Sequence, residues 1–173
     1  MRDQRWVAEH RGGPLNIEQH RQLMIWGCAC AEHVLPLLEG ELDPRLSKAL
    51  VIAKAWAQGK ATVGEARTAS VACHAFARES TNPVTIAIAR AVGHAVATAH
   101  MADHSLGPAL YALKAMSLAG QSIDAERQWQ NQQLPPEIQE LVLSTRISKE
   151  NQFKLTLSAF SPSNSIISIN KTP

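Results

Sequence analysis

The chain has 173 residues, 45% of them hydrophobic and 18% charged, with a formal net charge of +2. That length and apolar fraction suit one domain with a real core and leave too little chain for two. No uninterrupted apolar stretch approaches the length of a membrane span, and the charged opening MRDQRWVAEHRGG lacks the apolar run of a signal peptide, so no membrane partner and a cytoplasmic location are expected.

Helix signals then recur at short intervals. In LNIEQHRQLMIWGCACAEHVLPLL, Asn16 can cap the first turn with Gln19 as its capping-box partner, and Leu23, Trp26, Cys30, Val34 and Leu37 follow at helical spacing. Asp43 and Pro44 make an N-cap and first helical position for a second helix, striped by Leu46, Ala49, Leu50, Ala53, Trp56 and Ala57 and closed by Gly59. Thr62 and Glu65 form a capping box for a third helix, which carries Ala66, Ala69, Cys73, Phe76 and Ala77 on one side and ends near Ser80.

Asn82 and Pro83 launch a fourth helix, expected to run through GHAVATAHMADHS until Gly107 and Pro108 break it. Val84, Ile88, Ala91, Ala95, Ala99 and Ala102 would share its core face. Further helices are expected over about Pro108 to Leu118, Ile123 to Gln133 and Pro136 to Thr145. The fold expected is all-α, a compact bundle of about seven antiparallel helices over residues 1–145. Over 146–173 alanine nearly disappears and the helix signals stop. A flexible, irregular tail is expected there, with FKLTLSAF and SIISI able to form only a marginal hairpin.

The polar residues concentrate in one place. His94, His100, Asp103 and His104 fall within thirteen residues. On one continuous helix His100 and His104 lie a turn apart, while His94 points elsewhere and stays out of any shared mononuclear site. The pair could bind zinc, since HMADH has the outline of an inverted zincin pattern with Asp103 in place of glutamate and His74 is the obvious candidate for a third ligand. The shorter acid, the missing diagnostic third ligand and the alanine-rich surroundings favour a structural cluster instead. There Asp103 orients His100, and His104 satisfies polar groups at the chain turn.

Cys28, Cys30 and Cys73 are odd in number and without a metal-binding spacing, so buried free thiols are expected. No cysteine or serine stands in a nucleophile motif, and no cofactor is expected. Residues 1–43 carry four basic and seven acidic side chains, residues 44–120 eight and three. The central excess, from Arg45, Lys48, Lys54, Lys60, Arg67, Arg78 and Arg90, is dispersed, with neither interleaved aromatics nor a nucleic-acid motif, so no nucleic-acid partner is expected. Trp26 and Trp56 sit on apolar stripes, whereas Trp6 and Trp129 sit in polar segments. With Arg5 and Arg127 these two are the candidate partner contacts, because aromatic and arginine side chains anchor interfaces.

Four segments carry a resemblance: WVAEHRGGPL; DPR followed by KALVIAKAWAQGKATVGEAR; GHAVATAHMADH followed by LGPALYALKA; and QLPPEIQELVLS. Over about residues 1–145 the chain resembles the Imm-five-like immunity proteins associated with bacterial polymorphic toxin systems. The resemblance implies an all-helical protein that protects its producer by binding and neutralising a cognate toxin, with no established catalytic residue, so a binding protein is expected in preference to an enzyme. A function of another class, a metal-dependent enzyme using His100, Asp103 and His104, stands as the alternative.

Overall fold

Five helices begin where a side chain satisfies the free amides of the first turn. In the computed structural model, which describes residues 3–153, Asn16 and Gln19 exchange both bonds of a capping box at the start of α1 (Ile17–His33). Asp43 accepts from the Arg45 amide ahead of α2 (Pro44–Ala57). Thr62 and Glu65 box the start of α3 (Val63–Glu79), and Asn82 accepts from the amides of Val84 and Thr85 ahead of α4 (Pro83–Ala97). Then follow α5 (Leu106–Leu118), α6 (Ile123–Gln132), capped by Ser122, and α7 (Pro136–Gln152). Gly59 and Gly120 take φ of 73° and 69°, the left-handed conformation that turns the chain out of α2 and α5. Short 3-10 turns occur at Gln4–Trp6, Glu9–Arg11, Leu35–Leu37 and Ala102–Ser105. The described residues form an all-α bundle without strands, and no helix among them is long and apolar enough to cross a membrane.

The most apolar helix lies at the centre. α4 packs against α1, α2, α3 and α5, and Ala87, Ile88, Ala89, Ala91, Val92, Gly93, Ala95, Val96 and Ala97 are all buried. Its small side chains let neighbours come close: Ser70 Oγ on α3 donates to the Gly93 carbonyl at 2.9 Å. One core cluster joins Met24, Cys28, Leu46, Leu50, Cys73, Val92 and Val96 across α1 to α4. A second gathers Trp6, Leu15, Leu23, Trp26, Leu106, Ile138 and Val142 where α1, α5 and α7 meet.

Two boundaries differ from expectation. α4 stops at Ala97 instead of running to His104, because Thr98 is captured by another helix: the buried His20 of α1 donates from Nε2 to the Thr98 carbonyl at 2.6 Å. That carbonyl would otherwise receive the amide four residues on. The chain passes through an extended Met101 (φ −149°, ψ 113°) before its next turn at Ala102–Ser105. At the other end, α7 continues past Thr145 to Gln152. Arg146 is 3% exposed and bonds to Glu150 one turn later at 2.5 Å, so the segment expected to begin a tail is anchored helix up to there. The tail reading for 154–173 lies outside the described residues.

Candidate functional site

The early end of α4 reshapes the histidine cluster. With the chain turned back after Thr98, His104 meets His94 itself, Nδ1 to Nδ1 at 3.3 Å. His94 is therefore not set apart from His104, as a continuous helix required. His74 on α3 lies edge-on to His94 with ring centroids 5.3 Å apart, His100 lies 4.9 Å from His104, and Tyr111 on α5 stacks on His94 at 5.4 Å. Phe153, just beyond α7, meets Tyr111 edge-on at 5.3 Å. Two glycines make room. A Cβ on Gly93 would stand 3.0 Å from the His74 ring, and one on Gly107 would stand 2.5 Å from His94 Cγ.

The chemistry of this cluster follows from burial and like charge. In the His94–His104 contact one Nδ1 must donate and the other accept, so at most one of the two rings can be cationic while it lasts. Burial, then the charges of His104, His74 and Arg90, push His94 down to about 4. Burial also lowers His74, reinforced by Arg90, Arg78 and His104, and lowers His100, reinforced by His104 and Arg67. The buried Nδ1 atoms of His74 and His100 have no hydrogen-bond partner among the described residues, so the orientation of His100 by Asp103 expected from their spacing does not reach that nitrogen. Among the described residues no three or more His, Cys, Asp and Glu side chains are arranged to hold a metal ion. The set His74, His100, Asp103 and His104 is thus brought into one neighbourhood without becoming an assembled ligand shell.

The cysteines offer no nucleophile. Cys28, Cys30 and Cys73 are free and buried. Burial pushes the thiols of Cys28 and Cys73 up to about 12 and that of Cys30 well above its ordinary value.

The four candidate contact residues are engaged within the protein. Trp6, expected at the surface, is 1% exposed, and its Nε1 donates to Thr145 Oγ1 at 3.2 Å. Its polar neighbours in sequence hid the apolar pocket supplied by α1 and α7. Arg5 is exposed, pairs with Asp3 and donates to Ser144 Oγ at 2.8 Å. Arg127 pairs with Asp124 and, at 2.9 Å, with Glu150. Trp129 is half-buried and stacks flat on His33, centroids 3.5 Å apart.

Beside Trp129 lies a buried polar network with no sequence signal of its own. Glu126, 1% exposed, accepts from His33 Nδ1 at 2.7 Å and from Gln130 Nε2 at 2.8 Å. The Gln130 side-chain oxygen accepts from Arg146 Nη2 at 2.5 Å, its Nε2 also donates to the Ala109 carbonyl at 3.2 Å, and its backbone carbonyl accepts from Trp26 Nε1 at 2.9 Å. Arg146 donates in addition to Asn131 Oδ1 at 2.7 Å. Every partner belongs to the chain itself, so the network fastens α1, α5, α6 and α7 together.

Fold and site together define an all-α protein whose histidines pack on one another where α3, α4 and α5 meet. The chain belongs to the family described as Imm-5 like putative immunity protein, whose model matches residues 13–137. The match takes in α1 to α6 and the whole histidine cluster; Arg5 and Trp6 precede it, and most of α7 follows it. Neither a curated protein nor a solved structure matches the chain.

Proposed function

We propose that this chain is an immunity protein that binds and neutralises a cognate toxin of a bacterial polymorphic toxin system, in the cytoplasm of the producing cell and without catalysis of its own. The observation that carries this reading is the family match across residues 13–137. The geometry is in keeping with it: the three thiols are buried and held protonated. The mildly basic charge, +2, disfavours an acidic phosphate mimic laid over a nuclease cleft. The direct test co-expresses this chain with toxin genes that neighbour its own. Growth is restored in the presence of one such toxin if the reading holds; continued killing by every neighbouring toxin, with the chain expressed and folded, contradicts it.

A further inference from the structure

Three side-chain stripes meet at the histidine cluster. On α3, Arg67, Val71, His74 and Arg78 follow helical spacing; on α4, Arg90 lies one turn before His94; on α5, Gly107, Tyr111 and Lys114 repeat the pattern. The ring contacts from His74 to His94 and from His94 to Tyr111 set these stripes side by side on one face. Arg67, Arg78 and Lys114 are exposed there, and Arg90 is half-buried.

Apart from the carboxylate of Asp103, next in sequence to His104, the charged groups around the cluster are cations. The charged groups acting on His74 are Arg90, Arg78 and His104, and those acting on His100 are His104, Arg67 and Arg11. Arg45 and Lys54 of the same stretch are neutralised, by Asp43 with Glu79 and by Glu32, while Lys48 and Lys60, unpaired among the described residues, lie on and just after α2. Glu65 is held in the Thr62 cap. Arg67, Arg78, Arg90 and Lys114 form no ion pair among the described residues. Uncompensated cations on one face repel each other, and an opposing carboxylate surface relieves that repulsion.

We infer that this face of α3, α4 and α5 is the docking surface for a protein partner presenting an acidic patch, and, resting on the immunity reading above, that this partner is the cognate toxin. Arginines at the rim provide charged anchors, and Val71, 65% exposed, supplies apolar area between Arg67 and Arg78. Nucleic acid fits less well. Tyr111, at the centre, is held between His94 and Phe153, so its own ring is not offered for base stacking, and the cations are not interleaved with a row of aromatic side chains.

The test measures binding of the purified toxin encoded beside this gene to the full chain and to two variants of equal charge change. Arg67→Glu/Arg78→Glu reverses two exposed positions on the face, and Lys48→Glu/Lys60→Glu reverses two exposed positions on and just after α2; circular dichroism checks that both fold. The inference expects the first variant to bind about 100-fold more weakly and the second to stay within about threefold of the parent, with association slowed by added salt. Equal weakening in both variants, or none in the first, overturns the docking surface while leaving the immunity reading intact. Failure of the parent chain to bind the toxin overturns that reading and the inference with it. A 20-nucleotide RNA and a duplex DNA serve as further probes. Loss of RNA or DNA binding in the first variant, with toxin binding unchanged, reassigns the face to nucleic acid.

Discussion

Replacing Arg146 with methionine removes one guanidinium and leaves three acceptors without it. In the parent chain Arg146 reaches Gln130 at 2.5 Å, Asn131 at 2.7 Å and Glu150 at 2.5 Å, and only 3% of the residue is exposed. Hydrogen bonds to a charged group are worth about 1.5–3 kcal/mol each, but bonds within one network do not add. Removing a single partner from a buried ion pair costs about 3–5 kcal/mol. Here Glu150 keeps Arg127 at 2.9 Å, which places the expected loss near the lower limit, about 3 kcal/mol. Against a typical domain stability of about 5–15 kcal/mol, that shift is readily read from urea unfolding followed by circular dichroism. Arg146→Lys, which restores the charge without the fork, should fall between the parent and methionine. A loss below about 1 kcal/mol, the level of an exposed surface pair, would show that the network does not fasten α6 and α7 to the bundle.

Three further outcomes follow from other parts of the fold. His94 sits at about 4 when folded against 6.5 for the ordinary group, so the unfolded chain binds the proton first: stability is full above about 6.5 and is lost as pH falls towards 4, by up to about 3 kcal/mol. Lowered values at His20, His74 and His100 act in the same direction; urea midpoints should drop between pH 7 and 4.5, less steeply in His94→Gln, and an equal slope in both would refute the assignment. Gly107→Ala places a Cβ 2.5 Å from His94 Cγ and should destabilise by about 1–3 kcal/mol in thermal unfolding, whereas Gly64→Ala, whose nearest contact is 3.8 Å, should be neutral or slightly stabilising. If both behave alike, the close approach is not felt. The three buried thiols should react with an aromatic disulfide reagent only as fast as the chain opens, and rapid labelling of the folded protein would contradict their burial.

What the sequence made legible was local. Asn16 with Gln19, Asp43 with Pro44, Thr62 with Glu65 and Asn82 with Pro83 mark helix starts, because a cap is a contact between residues two or three apart. The apolar stripes gave the all-α bundle for a similar reason. The end of α4 was not legible, since its cause is a hydrogen bond from His20, 78 residues upstream, and nothing in VATAH marks the break. That single contact decides the cluster, for it brings His104 to His94 and undoes the separation drawn from an unbroken helix. Trp6 and the IDAERQWQNQ segment were misleading in the same way: their polar composition suggested surface, while Trp6, Glu126 and Gln130 are among the most buried side chains. Buried polar groups become visible only with their partners, and those come from α1, α5 and α7. The match to residues 13–137 supplied what residue chemistry alone did not, the family to which the chain belongs.

Immunity through binding is put to the test by titrating this chain into the purified neighbouring toxin while following the toxin's own activity. Toxin activity should fall linearly to zero at a stoichiometric amount of the chain, with the inhibited complex eluting as one species. Full toxin activity in the presence of excess folded chain, or inhibition that proceeds catalytically at substoichiometric amounts, contradicts it.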